Sequence, residues 1–350
     1  MDQAVKGMTM QEALAHLIAG RDLTRAQAED VMNRIMDGEA TPAQIAGVLT
    51  ALRMKGETVD EIAGFASIMR EKSNRVRTTR DGLLDTCGTG GSGIHKFNVS
   101  TSSAIIAAAA GVRVAKHGNR AMSGKAGSAD VLEALGVNIR LTPDQAAECL
   151  AETGICFLFA QLFHPSMKYA AGPRKELGVR TIFNMLGPLT NPAGADRQLL
   201  GLYDRTKTET IAEVLRQLGI RRALVVGSFE GLDEISISHD TQVSELKDGG
   251  IRTYVLKPED LGLDRRPIDE VVGGSPEENA AIVRRVFAGK ERGAYRDIVL
   301  ANAGACIYLG GKAETLADGV KAAAAVIDSG AAEAKLEELI RKTGEFAHVS

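Results

Sequence analysis

Residues 83–101 read Leu83-Leu84-Asp85-Thr86-Cys87-Gly88-Thr89-Gly90-Gly91-Ser92-Gly93-Ile94-His95-Lys96-Phe97-Asn98-Val99-Ser100-Thr101. A short apolar run, a glycine cluster and a hydroxyl-bearing segment leading into an alanine-rich stretch predict a strand, a tight turn with exposed backbone N–H groups, and the start of a helix. Free amide donors and the positive end of a helix suit a phosphate. The charge pattern agrees. Acids make up 45 of the 350 residues, yet the 44 positions between Asp85 and Asp130 contain none, while Lys96, Arg113, Lys116, Arg120 and Lys125 all fall there. A carboxylate in such a stretch would repel a bound polyanion, so its absence marks a candidate anion site.

Gly88 to Gly93 also fits the G-x-G-x-x-G pattern of a dinucleotide-binding turn. That reading needs an acidic residue about 20 positions on, to hold the ribose hydroxyls. Arg113 to His117 occupies that region instead, and no Lys followed by Ser or Thr completes a P-loop. What remains is a different phosphate site on a strand–turn–helix frame.

Working outward, four segments before residue 73 each begin with a threonine followed three positions later by Glu or Gln: Thr9/Glu12, Thr24/Gln27, Thr41/Gln44 and Thr58/Glu61. These are capping boxes and predict four helices, with Pro42 at a first helical position and Ile45, Val48, Leu49 and Leu52 continuing an apolar face. After the polar segment 73–81, short β-like runs alternate with helices. The predicted strands are 83–85, 112–116, 137–140, 156–160, 199–203 and 223–227, and helices begin near Ser100, Ser128, Thr142 and Thr206. This alternation predicts an α/β fold with a largely parallel central sheet behind a small all-helical domain. Helices dominate again from Pro276 onward.

Composition bounds the function. Hydrophobic residues are 44% of the chain and aromatics only 4%, with no Trp and 38 Gly, which predicts aliphatic, Ala-rich packing and many turns. A net charge of −3 lacks the basic excess of a nucleic-acid binder, so the cationic stretch is a local site. Cys87, Cys149, Cys156 and Cys306 are scattered without a CxxC spacing, which argues against zinc or disulfides and for a reducing compartment. Apolar runs such as Ala104 to Val112 are shorter than the roughly 20 residues of a membrane helix, and Met1 to Met10 carries no signal-peptide core. The expectation is a cytoplasmic protein.

Six motifs then stand in one consistent order: Asp85-Thr86-Cys87-Gly88-Thr89-Gly90-Gly91, Asn98-Val99-Ser100-Thr101, Lys116-His117-Gly118-Asn119-Arg120, Arg174-Lys175-Glu176-Leu177-Gly178, Leu186-Gly187-Pro188-Leu189-Thr190-Asn191-Pro192 and Gly231-Leu232-Asp233-Glu234. With them the chain closely resembles the anthranilate phosphoribosyltransferase family of tryptophan biosynthesis, from the N-terminal helices to the Ala-rich C-terminus. The resemblance implies a helical domain of residues 1–73, with 166–189 packing on it, and an α/β domain of 74–165 and 190–350. It further implies an active site in the hinge cleft and a homodimer formed through the helical domains. The implied reaction moves the ribosyl group of 5-phosphoribosyl 1-diphosphate to the amine of anthranilate, with Mg²⁺ as cofactor and loss of diphosphate.

The same resemblance assigns roles. Gly88, Gly91 and Ser92 would cradle the diphosphate with Lys96, and Asn98, Val99, Ser100 and Thr101 follow at the helix start. Lys116, His117, Gly118, Asn119, Arg120, Ala121, Met122, Ser123, Gly124 and Ser128 would surround the phosphoribosyl part. Asp233 and Glu234 would bind Mg²⁺ with help from Ser100. Arg174 would pair with the anthranilate carboxylate, beside Asn119 and Gly88, because a planar guanidinium gives both charge and orientation. His117 and His164 invite a general-base role, yet an isolated histidine is more often a structural hydrogen-bonder, and the reaction needs no base.

Several positions depart from the family's usual pattern. Ser92 stands where Asp is common and Lys96 where a small hydroxyl residue is common. This predicts a weaker second magnesium site, with Lys96 supplying part of the charge. Gln161 and Phe163 replace a Pro and a His, and Gly124 replaces a Ser, so the acceptor is the least fixed part of the expectation. Two rivals remain: a nucleoside phosphorylase of the same fold, which the Lys116 to Arg120 cluster and the adjacent acids disfavour, and a non-enzymatic nucleic-acid-binding relative, which the net charge disfavours.

Overall fold

The computed structural model describes residues 7–91, 93–121 and 125–348. Helices α1 (Met10–Ile18), α2 (Arg25–Met36), α3 (Pro42–Lys55) and α4 (Val59–Glu71) begin at the four predicted capping boxes. In each, the threonine hydroxyl accepts the N–H three residues on, and the Glu or Gln there takes the threonine N–H in return. Each such cap is worth about 1 kcal/mol. Glu61 extends this logic into the core: fully buried, it accepts N–H groups from Thr58 and Leu23 and the Lys55 ammonium at 3.0 Å. One carboxylate thus ties the starts of α2 and α4 to the end of α3.

The chain then lays down β1 (Leu83–Gly88), α5 (Val99–Ala109), β2 (Arg113–Gly118), α6 (Ser128–Leu135), α7 (Pro143–Thr153) and β3 (Ile155–Phe159). Three helices follow, α8 (Ala160–Phe163), α9 (Lys168–Leu177) and α10 (Phe183–Leu186), before β4 (Arg197–Gly201), α11 (Thr208–Gln217), β5 (Arg222–Ser228), β6 (Thr241–Lys247) and β7 (Gly250–Leu256). Helices α12 (Pro276–Phe287), α13 (Ala294–Leu309), α14 (Leu316–Asp328) and α15 (Ala331–Glu345) complete it. The strands form one seven-stranded sheet ordered β3-β2-β1-β4-β5-β6-β7, parallel from β3 to β5 and antiparallel for β6 and β7. Strand order runs one way from β1 to β3 and the other way from β4 onward. The reversal therefore falls between β1 and β4, and open α/β sheets bind ligands in the crevice outside the strand ends at such a point. Gly88 and Gly201 are paired there, at the C-terminal ends of the two strands.

Both sheet faces are covered, as a mostly parallel sheet requires. Leu199, Leu224 and Val226 point into a core shared with α5 and α13, while Leu200, Leu202, Ala223 and Val225 alternate to the opposite face. That second face joins α11 and the first four helices in one apolar cluster, which also takes in Ala170 of α9 and Ile182, Phe183, Leu186 and Leu189 of the segment after it. Among the described residues no helix is long and apolar enough to cross a membrane.

Two sequence readings need correction. Residues 137–140 are not a strand. Val137 and Ile139 are buried with β-like alternation, but Gly136 ends α6 in the left-handed conformation, and Asn138 spends its N–H and side-chain amide on Thr343 of α15. Conversely, β6 and β7 were not predicted, although Asp248 and Gly249, at φ 52° and 78°, form the turn that joins them. The helix expected near Thr206 starts with a single 3₁₀ turn, capped by the Asp204 carboxylate on the Thr206 N–H, before α11.

His117 at the end of β2 and His164 after α8 lie with ring centroids 5.1 Å apart, both buried. Burial, reinforced by the facing His164 ring and the Lys116 charge, pushes His117 down to about 3, and burial pushes His164 down to about 4, against 6.5 for a free imidazole. Because both folded values are depressed, the unfolded chain takes up protons first as pH falls. The stability these neutral rings supply is complete above pH 6.5 and is lost toward pH 4, at about 1.4 kcal/mol per pH unit for each ring. Urea midpoints measured between pH 7 and pH 4.5 are expected to fall accordingly, and His164→Gln should remove about half of that slope.

Candidate active site

The crevice between β1 and β4 is lined by the glycine turn. Thr89 donates its N–H to the Gly201 carbonyl at 2.9 Å, locking the turn to the neighbouring strand, and Gly90 and Gly91 follow with φ of 67° and 76°. Two consecutive left-handed residues are readily adopted only by glycine, and they turn successive N–H groups toward one side. The Gly90 N–H donates to Asp233 Oδ2 at 2.8 Å.

Asp233 and Glu234 arrive on the loop after β5. The Leu232 N–H donates to the Ser228 hydroxyl and the Leu232 carbonyl accepts the Ser228 N–H, and Asn302 of the buried helix α13 clamps Ile235 through its N–H and its carbonyl at 2.9 and 3.0 Å. The loop sits so close to the sheet that a Cβ on Gly88 or Gly201 would collide with Asp233. Both carboxylates are buried, at 3% and 5% exposure. Lys96 reaches them, bonded to Asp233 Oδ1 and 3.3 Å from Glu234 Oε1. Burial alone would raise the Asp233 carboxyl, but the Lys96 charge and bond, with the Gly90 N–H, bring it below its ordinary value. Glu234 remains raised by burial, although Lys96 and Lys116 oppose this.

Lys116 is buried on β2 and donates to the Thr86 carbonyl at 2.6 Å and to the Ser100 hydroxyl at 3.2 Å. Asn98 makes no side-chain cap at the start of α5, so among the described residues the first-turn amides beside Ser100 and Thr101 stay uncapped and the buried Thr101 hydroxyl has no partner. The Asn98 side chain is instead fixed by Asn279 of α12, whose amide donates to Asn98 Oδ1 at 2.9 Å. Val99 is buried beneath the turn, and Gly118 packs so tightly that a Cβ would meet the Ser128 hydroxyl, which donates to the Asn119 carbonyl.

Arg120 does not stand free toward the crevice. Its guanidinium pairs with Asp130 and Glu133 of α6 at 2.7 and 2.6 Å, and Asp130 also accepts the Ala121 N–H. His117 donates its backbone N–H to Asp85. Ser92, Met122, Ser123 and Gly124 lie outside the described residues.

Arg174 of α9 stacks over the Phe183 ring at 4.9 Å. Burial lowers its pKa, and among the described residues it has no carboxylate partner. Asn119 Oδ1 accepts the Arg120 N–H at 2.8 Å and faces the Gln161 amide at 3.5 Å. Arg180 is a site residue that sequence reasoning missed. It stacks on Tyr203 at 4.1 Å and donates to the Gly91 carbonyl at 2.5 Å, and no periodicity or spacing distinguishes it from any exposed cation.

Among the described residues no three His, Cys, Asp or Glu side chains gather into a self-sufficient metal cage. Two carboxylates and a hydroxyl beside an anion cradle nevertheless match the partial donor set Mg²⁺ takes where substrate phosphates complete its shell. Hard oxygen donors of this kind fit that ion.

Comparison with known proteins agrees with this geometry. The chain matches the glycosyl transferase family, a/b domain, over residues 80–333 and the helical bundle domain of the same family over residues 11–73. It is 54% identical to the anthranilate phosphoribosyltransferase of Brevibacillus brevis, covering 97% of this chain and 99% of that protein, and 52% identical to that of Moorella thermoacetica, covering 95% and 97%. The crystal structure of the Thermus thermophilus enzyme superposes with a TM-score of 0.90 at 46% identity, covering 95% of this chain and 99% of that one. The Saccharomyces cerevisiae enzyme in complex with PRPP and Mg superposes at 0.88 with 26% identity, covering 96% and 98%. A helical bundle set against a switch-point crevice with buried acids, matched end to end by these relatives, places the chain in the anthranilate phosphoribosyltransferase family.

Proposed function

We propose that this chain transfers the phosphoribosyl group of 5-phosphoribosyl 1-diphosphate to the amine of anthranilate, giving N-(5-phosphoribosyl)anthranilate and diphosphate in tryptophan biosynthesis. The observation that carries this reading is the buried Asp233–Glu234 pair facing a cationic glycine turn at the switch point. A nucleoside phosphorylase has no need of such a pair.

The turn amides and the uncapped start of α5 bind the diphosphate, with Lys96 and Lys116 countering its charge. Asp233, Glu234 and the Ser100 hydroxyl would hold Mg²⁺. When bound, that ion neutralises charge developing on the departing diphosphate. As the C1–O bond to diphosphate lengthens, an oxocarbenium-like centre forms at the ribose and the anthranilate nitrogen closes on it. The proton is lost from that nitrogen afterwards, to solvent. An aromatic amine attacks in its neutral form, so no base is required, and the depressed His117 and His164 rings are poorly suited to be one. Arg174, unpaired and braced on Phe183, orients the anthranilate carboxylate. Catalysis rests on positioning and on fixed charge. The yeast relative's complex with PRPP and Mg supports the donor and the metal.

The exposed Ile18 and Met54, at 72% and 84% exposure at the ends of α1 and α3, support a homodimer formed through the helical domain. A mass measurement in solution is expected to give twice the chain mass, with Met54→Glu shifting the protein toward monomer.

The first test is loss of anthranilate fluorescence on adding 5-phosphoribosyl 1-diphosphate and Mg²⁺, matched mole for mole by diphosphate release and stopped by a chelator. Diphosphate release without anthranilate loss would keep the donor and overturn the acceptor. Arg174→Ala should raise KM for anthranilate by roughly 10- to 100-fold, the value of one charged hydrogen-bonded contact, and leave KM for the donor nearly unchanged. A parallel rise in both constants would remove Arg174 from the acceptor site.

A further inference from the structure

The metal-binding carboxylates already hold a cation. Lys96 Nζ bridges Asp233 Oδ1 and Glu234 Oε1, with all three side chains nearly buried, at 15%, 4% and 6% exposure. Lys116, the other ammonium nearby, is committed to the Thr86 carbonyl and the Ser100 hydroxyl. Both Asp233 oxygens are occupied: Oδ1 by Lys96, Oδ2 by the Gly90 N–H. Each oxygen keeps a second lone pair, but a divalent ion seated on this pair would lie against the Lys96 ammonium at close range, a strong repulsion in a buried site, and the two donors differ in whether they can leave. The Gly90 amide is fixed by the turn, whereas an ammonium on four methylenes can swing away.

The root of that stem is anchored. Lys96 forms a β-bridge with Val272, the Phe97 N–H donates to the Val271 carbonyl at 3.2 Å, and the Gly273 N–H donates to the His95 carbonyl at 3.0 Å. Phe97 is buried edge-on against Tyr295 at 5.2 Å. The Cα is thus held beside the glycine turn, so an ammonium released from the carboxylates stays within reach of an incoming diphosphate.

We propose that Lys96 is a tethered counter-ion of the metal site: its ammonium occupies Asp233 and Glu234 when no divalent ion is bound, and moves onto the diphosphate when one arrives. Lysine and metal are alternative occupants of one carboxylate pair. This deepens the reading above and rests on it for the ligand role of Asp233 and Glu234. Without the lysine, two buried and adjacent carboxylates would face each other uncompensated, which is costly. With lysine and a divalent ion both seated, the pair would carry three positive charges against two negative ones. The exchange avoids both states. It also makes metal binding weak until the diphosphate offers the lysine a new partner, so metal and donor bind cooperatively.

The test uses Mn²⁺ alone, without either substrate, with binding followed by the EPR signal of the free ion. Wild type is expected to bind weakly, and Lys96→Met, which removes the charge and keeps the stem, to bind one Mn²⁺ at least about tenfold more tightly. Lys96→Arg should stay near wild type, and the gain should vanish when Glu234→Gln is added. Mn²⁺ binding by Lys96→Met that is no tighter than wild type, or a gain that survives Glu234→Gln, overturns the proposal. If Lys96→Met does not fold, the wild type still decides: acetylation of Lys96, mapped by mass spectrometry, should rise several-fold when Mn²⁺ is added, and an unchanged or reduced rate overturns the exchange. Absence of phosphoribosyl transfer alongside the expected Mn²⁺ behaviour would count against the reaction and leave the exchange standing.

Discussion

Burying two adjacent carboxylates at the C-terminal ends of a sheet's central strands is unfavourable unless each oxygen meets a donor, and much of this structure supplies those donors. Asp233 needs Gly88 and Gly201 to lack side chains, Gly90 to present its N–H, and Lys96 to bring a charge. These demands fix the register of β1 against β4, because the two glycines are direct partners across the ladder. They also fix the loop after β5, which Asn302 of α13 clamps from below. The crevice that would bind a diphosphate is therefore the same object that makes the acids tolerable.

What the sequence made legible followed from local chemistry. The capping boxes at Thr9, Thr24, Thr41, Thr58 and Thr142 each mark a helix start because the signal is contained within four residues. The strand–turn–helix at 83–101 was legible for the same reason. Residues 137–140 misled because alternating burial is only half of what a strand needs. Without a neighbouring ladder, Asn138 bonds to α15 instead, and that partner lies 205 positions away. The β6–β7 hairpin carried a clear Asp-Gly signal that went unused among polar residues. The partners of Lys96 were invisible, since its contact with Asp233 spans 137 positions. Arg120 illustrates the opposite error: the acid-free stretch suggested a free cation, but Asp130 and Glu133, just beyond its end, take up the charge.

The helical bundle is less separate than its sequence suggests. Its apolar core continues through α11 into Leu200, Leu202, Ala223 and Val225 on one face of the sheet. The Arg70 guanidinium adds polar ties at 2.6 and 3.2 Å to the Leu189 and Leu218 carbonyls, on the crossing segment and after α11. Bundle and sheet share a floor, and the crevice opens at its rim.

The segment between α9 and α10 gives that shared floor a further meaning. Ile182 and Phe183 are embedded in the bundle's core, Arg174 at one end braces on Phe183, and Arg180 between them grips the Gly91 carbonyl. The stretch from Arg174 to Phe183, ten residues from the end of α9 to the start of α10, is thus anchored in the bundle and fastened to the turn on the sheet side. Any tilt of the bundle is transmitted to that turn as a pull on one carbonyl, so the segment works as a tendon.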